Sequence, residues 1–222
     1  MFSLYISIFL VAFDRTVLGP AIPAITNQFK SIGNIGWYRS AYLLTACGFI
    51  LLYGRVYTFF PTKPVFLSRI VLFEAGSAAC GSANSLLALI IGHAIQGFGS
   101  SGIFTGAVLI MTRTVPPHRR PMLQGLFRAC FGPASVIGPL LGGIFTGSRA
   151  TWRWCVYINL TIGGFAIYVV LHFLRLDQKP SGKSVAFGSL SQFCVGAVML
   201  TFASYILLFS GDEGCFGHAI QY

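Results

Sequence analysis

Acidic side chains are nearly missing from this chain: Asp14, Glu74, Asp177, Asp212 and Glu213 are the five among 222 residues. Charged residues of both signs make up 9% of the sequence and hydrophobic ones 55%. A soluble domain carries about 25% charged residues, and one water-soluble core of this size cannot hide so much apolar surface. The composition therefore implies a polytopic membrane protein of the all-α class. Chemistry-bearing clusters are missing too. Cys47, Cys80, Cys130, Cys155 and Cys194 lie in or beside apolar runs, Cys215 lies near the C-terminus, and none has a partner at short spacing. They read as buried thiols acting as small hydrophobes, not as a disulfide framework or metal site. Gly97-Phe98-Gly99 is not followed by the lysine of a phosphate loop, and no catalytic triad is visible. Neither an enzyme, nor a cofactor, nor a metal is expected. Met1 leads into apolar sequence without a basic n-region, so the first run reads as an uncleaved span.

What is present is a series of apolar runs, each near the roughly 20 residues that cross a bilayer, with 26 Gly and 21 Phe spread through the chain. Spans are expected at about 3–25, 37–57, 65–82, 86–112, 122–145, 154–174 and 187–209. Residues 1–175 would form a six-helix bundle, 176–186 a cytoplasmic linker, 187–209 a seventh helix and 210–222 a polar tail. The net charge of +10 does not point to nucleic acid, because the basic residues sit between apolar runs and not on one soluble face. Arg55, Lys63, Arg113, Arg119, Arg120, Arg175, Lys179 and Lys183 fall on one side, and Lys30, Arg39, Arg149 and Arg153 on the other. The positive-inside rule then puts the first group and the N-terminus in the cytoplasm. The expected partner is the lipid bilayer. Asn159-Leu160-Thr161 is formally a glycosylation acceptor, but it lies in the apolar start of the sixth span, too near the bilayer to be used.

Asp14 stands in the middle of the first apolar run, within Phe13-Asp14-Arg15-Thr16-Val17-Leu18-Gly19-Pro20-Ala21-Ile22-Pro23. An ionisable group at that depth costs about 2.5 kcal/mol or more, so it faces a protein interior or a water-filled cavity. Adjacent helical residues point about 100° apart, so Arg15 is no obvious partner. Pro20 and Pro23 are expected to kink or loosen the outer half of this helix. Three further stretches stand out: Gly92-His93-Ala94-Ile95-Gln96-Gly97-Phe98-Gly99 in the fourth span, Gly132-Pro133 through Gly138-Pro139-Leu140-Leu141-Gly142-Gly143 in the fifth, and Trp152-Arg153-Trp154 through Tyr157-Ile158-Asn159-Leu160 entering the sixth.

Together these resemble the major facilitator superfamily, and within it the fungal branch of fourteen-helix drug:proton antiporters. The resemblance covers about residues 10–175, the N-terminal half of such a protein. The first-helix signature Asp-x-Thr-x-x-x-x-Ala-x-Pro is matched by Asp14, Thr16, Ala21 and Pro23. The fourth-helix motif Arg-x-x-x-Gly-x-Gly is matched at Gly97 and Gly99, with His93 where the family has Arg. The fifth-helix antiporter core Gly-Pro-x-x-Gly-Gly is matched at Gly138, Pro139, Gly142 and Gly143. In the loop between the second and third helices the family reads Gly-x-x-x-Asp-x-x-Gly-Arg-Lys. Gly54 and Lys63 survive here, while Thr58, Pro61 and Thr62 replace the Asp, Gly and Arg, which puts the cytoplasmic charge lock in doubt.

The resemblance implies export of hydrophobic or cationic small molecules in exchange for protons, from the plasma membrane or, alternatively, the vacuolar membrane. The implied partners are substrate, protons and a second half or another copy. The alternative is a truncated, transport-inactive membrane fragment or assembly partner. Asp14 is the candidate proton-coupling or substrate group; a structural acid held by hydrogen bonds is the other reading. His93 is either a proton relay or a satisfied hydrogen-bonding residue, and Gln96 is a pocket group or its partner. Glu74 either pairs with polar groups in the bundle or serves transport. Arg128 reads as a residue that snorkels to the interface. Gly132, Pro133, Gly138, Pro139, Gly142 and Gly143 read both as packing residues and as the bending element of a rocking mechanism.

Overall fold

The computed structural model describes residues 2–29, 35–147 and 152–173. The expected linker at 176–186, seventh helix at 187–209 and tail at 210–222 lie outside the described residues. So do Lys30, Arg149 and the side chain of Arg39. The described residues form nine α-helices: α1 Phe2–Val17, α2 Ile22–Phe29, α3 Ile35–Gly48, α4 Ile50–Phe59, α5 Thr62–Gly81, α6 Leu86–Thr114, α7 Arg120–Ala129, α8 Phe131–Gly147 and α9 Arg153–Phe173. Two helix pairs are bent at a break: α1 with α2 by 57° and α3 with α4 by 41°, while α7 and α8 run on as one apolar stretch. With each bent pair taken as one span, up to six stretches among the described residues are long and apolar enough to cross a membrane. The chain is a multi-pass membrane bundle.

The first break follows from Pro20. Its ring has no N–H and would clash with the carbonyl of residue 16 in a continuous helix. The chain closes three tight turns instead, with Gly19 N–H donating to Thr16 O at 3.3 Å, Ala21 to Leu18 at 3.1 Å and Ile22 to Gly19 at 3.3 Å. Pro23 falls in the first turn of α2, where a missing donor costs little. The junction of α7 and α8 at Cys130 is different: Cys130 keeps helical torsions and donates its N–H to Leu126 O at 3.1 Å, so the span continues through it. Pro139, expected to bend the span, is carried inside α8 without interrupting it.

Two connections are shorter than expected, for a related reason. The expected spans leave residues 58–64 as a connection, but Pro61 caps α5 from outside and the helix already starts at Thr62. Likewise α6 runs to Thr114, and Pro121 opens α7 instead of prolonging the loop. Proline suits the first turn of a helix, because its absent N–H has no intrahelical partner there.

α6 is the central element. More than half of its membrane window is buried, 56%, against 17% for the span of α7 and α8. Small residues allow the close approach. A Cβ on Gly97 would lie 3.0 Å from the Tyr42 carbonyl carbon in α3, and one on Gly99 would lie 2.7 Å from the Phe73 nitrogen in α5. The two motif glycines thus serve two different neighbours. Tyr57 locks the same face, donating its hydroxyl to Gly102 O at 2.9 Å. Two apolar clusters result. The first holds Leu4, Tyr57, Phe66, Phe73 and Ile110, and the second Phe13, Val17, Cys80, Leu89 and Val156. Large apolar side chains elsewhere, such as Leu44, Val71, Ile91 and Phe165, point outward, as lipid-facing positions do. Cys80 and Cys155 are buried free thiols, and Cys47 and Cys130 are half-buried ones.

Candidate functional site

A polar layer lies where α1, α5, α6 and α9 meet. Asp14 is 2% exposed and sits one turn before the break that ends α1. Its Oδ1 accepts from Gln96 Nε2 at 2.7 Å and from Asn159 Nδ2 at 2.5 Å. Gln96 Nε2 also donates to Ser77 Oγ at 3.0 Å. Gln96 and Asn159 are themselves buried. The α5–α6 approach that allows the Ser77 bond depends on Gly76, whose Cβ would lie 2.7 Å from the Gln96 nitrogen. The carboxylate is held by neutral amides. Amides donate hydrogen bonds to it without supplying an opposite charge.

The next two residues leave in other directions, as the 100° helical step demands. Arg15 turns to α3, its Nε 3.5 Å from Tyr42 Oη and its guanidinium 5.2 Å from the ring centroid. Thr16 turns to α8 and donates to Ala134 O at 2.7 Å. The fifth-helix motif packs on this turn. A Cβ on Gly138 would meet Thr16 Cβ at 2.8 Å, and one on Gly142 would meet Val17 O at 2.5 Å and Pro20 Cγ at 3.3 Å. The first-helix and fifth-helix signatures are therefore one contact. The motif splits, however. A Cβ on Gly132 or Gly143 would meet nothing within 4 Å, and Pro133 and Pro139 are exposed.

The sequence-derived candidates separate accordingly. Asp14 and Gln96 are bonded to each other. Glu74 lies on α5 one turn from Ser77, with its carboxylate against Gly163 of α9. His93 has Nδ1 3.0 Å from Leu89 O and 3.2 Å from Cys80 Sγ, one turn away from Gln96. Lys63 donates to Leu171 O at 3.1 Å, at the end of α9, where a cation complements the helix dipole. Gly54 is buried on α4, and Thr58, in the place of the family's Asp, bonds back to Gly54 O at 2.9 Å. Arg113 reaches Thr62 Oγ1 at 2.7 Å, and Arg120 caps α6 at Thr112 O, also at 2.7 Å. Arg128 is exposed.

Sequence reasoning missed Ser77 and Asn159. Asn159 reads as a glycosylation acceptor, yet a lone amide inside an apolar run, at 0% exposure, is itself the signal of an interior partner. At the other end of the bundle the Trp152-Arg153 pair ties helices together. Trp152 Nε1 donates to Gln28 Oε1 at 2.5 Å, and Arg153 donates to Ala83 O at 3.0 Å.

Comparison with known proteins agrees with this architecture. The Major Facilitator Superfamily profile matches residues 4–219. The efflux pump aflT of Aspergillus parasiticus is 53% identical over 176 residues, covering 79% of this chain and 34% of that protein. The rubrofusarin-specific efflux pump aurT of Gibberella zeae is 50% identical over 181 residues, covering 82% and 33%. A crystallised D-xylose–proton symporter superposes with a TM-score of 0.70 at 11% identity, over 88% of this chain and 52% of the symporter. The chain spans about a third of the length of the curated relatives it matches. By profile, relatives and fold, this chain belongs to the major facilitator superfamily of membrane transporters.

Proposed function

We propose that this chain supplies the Asp14-bearing bundle of a proton-coupled exporter of hydrophobic or cationic small molecules in a fungal-type plasma membrane. The observation that carries the reading is the buried Asp14 carboxylate, held by the amides of Gln96 and Asn159 on the turn that packs against α8. Protonation there changes charge inside a low-dielectric layer, and substrate cations compete for the same charge. The names of the relatives aflT and aurT support the export direction.

A rocking mechanism needs a second bundle. The outward face of α8, with Val136, Leu140 and Ile144 exposed beside Gly132 and Gly143, is the surface we assign to it, supplied by further sequence or by another copy. If this chain acts alone without such a partner, the alternative role is a transport-inactive membrane fragment or assembly partner.

The test is uptake of a fluorescent cationic dye into inverted vesicles with an imposed pH gradient, using this chain alone and joined to the remaining part of a full-length relative such as aflT. The expected result is proton-driven uptake that Asp14→Asn abolishes while membrane insertion persists. Undiminished uptake in Asp14→Asn removes Asp14 from the mechanism. Uptake by neither form leaves the fragment role standing.

A further inference from the structure

The polar layer is short of donors. Both carboxyl oxygens of Glu74, Oε1 of Gln96 and Oδ1 of Asn159 are buried without a hydrogen-bond partner. Each of these atoms only accepts when Glu74 is ionised, and a buried acceptor left unpaired is costly. One proton on Glu74 changes the balance, turning an acceptor into the missing donor.

The placement supports this. Glu74 is one turn from Ser77 on α5, and its carboxylate lies against Gly163, one turn from Asn159 on α9. Four residues of helix rise about 6 Å, so Glu74 stands one helical turn along the bundle from the amide that holds Asp14. The Gln96 and Asn159 amide oxygens are fixed beside the same layer, because their nitrogens are bonded to Asp14. A Cβ at Gly163 would overlap the Glu74 carboxyl, so glycine leaves room for an acid.

Among the described residues, few charged or titratable groups surround Glu74. From α1 it faces Asp14, an acid. On α6, His93 has its Nδ1 turned to Leu89 O and to Cys80, a residue of α5. On its own helix Arg69 reaches away, to Tyr53 Oη at 2.9 Å and over Phe98. Arg153 of α9 is engaged at Ala83 O.

We propose that Glu74 is a second proton-carrying residue of this site, held in the packed state as a neutral acid whose O–H donates to Asn159 Oδ1 or Gln96 Oε1. When the layer loosens, that proton passes from a Glu74 oxygen to an Asp14 carboxylate oxygen, and the negative charge moves from Asp14 to Glu74. The proton transfer rests on the reading of Asp14 as the coupling group; the neutral state of Glu74 does not.

The test is infrared spectroscopy of the purified chain in lipid at neutral pH, read at the protonated-carboxyl C=O stretch. Wild type is expected to show this band, Glu74→Gln to lose it, and Asp14→Asn to keep it. Glu74→Asp, which retains an acid of the same class, should shift the band without removing it, and the amide I envelope in the same spectra reports whether each variant is folded. If Glu74→Gln fails to fold, the Glu74→Asp shift carries the assignment. Absence of the band from wild type, its survival in Glu74→Gln, an unshifted band in Glu74→Asp, or its loss in Asp14→Asn overturns the proposal. None of these readings uses transport, so failure of the vesicle assay is distinguishable from failure here.

Discussion

Two glycines of one motif, five residues apart on α8, should respond oppositely to the same substitution. A methyl group on Gly138 would lie 2.8 Å from Thr16 Cβ and 3.0 Å from Val17 N, and closer still to the Thr16 hydroxyl. Either α1 and α8 part, or Thr16 rotates and gives up its 2.7 Å bond to Ala134 O. Overpacking of this kind costs about 1–3 kcal/mol. An interhelical hydrogen bond in a membrane bundle is worth about 0.6 kcal/mol on average. Ala in place of Gly returns up to about 1 kcal/mol of helix propensity. For Gly138→Ala the net expectation is therefore a destabilisation of roughly 1–2 kcal/mol, taking the upper part of the overpacking range. At Gly143 a methyl meets nothing within 4 Å, so only the propensity term remains, and Gly143→Ala should be neutral or stabilising by up to about 1 kcal/mol. Reversible unfolding of the purified chain in mixed lipid–detergent micelles, followed by helical circular dichroism, measures both. Equal effects of the two substitutions, or a loss larger at Gly143, would refute the packing described for α1 and α8.

Two smaller predictions follow from side chains at the bundle's interior and rim. Asn159 is fully buried and bonded to Asp14, so expression in a glycosylating host should leave the Asn159-Leu160-Thr161 site unmodified, with no change of electrophoretic mobility on endoglycosidase treatment; a shift would place Asn159 outside the bundle. Lys63 makes one exposed bond to a helix-end carbonyl, and exposed pairs contribute about 0–1 kcal/mol, so Lys63→Ala should change unfolding stability by no more than about 1 kcal/mol in the same assay; a loss of several kcal/mol would mean that the surviving loop motif still locks the bundle.

The spans are legible in the sequence because lipid selects for length and hydropathy, two properties that a linear chain displays. α5, α6 and α9 fall within three residues of where apolar runs place them. The breaks are partly legible. Pro20 announces the first one, whereas the bend at Phe49 between α3 and α4 has no proline to announce it. The site is half legible. Asp14 and Glu74 are conspicuous since an acid in an apolar run has no other explanation at hand, but the choice of partners depends on helix rotation, which hydropathy leaves open. Gln96 reads as a neighbour of His93 because the two are one turn apart. In three dimensions that turn carries His93 to Cys80 and Leu89 and Gln96 to Asp14 and Ser77. Asn159 is hidden by a pattern that has a second meaning in secreted chains.

The spacing of the first-helix signature acquires a physical reason from this geometry. Residues 14, 15 and 16 are successive on one helix, so their side chains fan over about 200° and cannot share a neighbour. Asp14 takes α6 and α9, Arg15 takes α3, and Thr16 takes α8. Each contact uses a different force: amide hydrogen bonds, a cation over a ring, and a hydroxyl on a backbone carbonyl. Four residues on, Pro20 ends the helix, and its ring lies where Gly142 needs to approach. One turn of α1 thus joins the buried carboxylate to a span that is only 17% buried among the described residues.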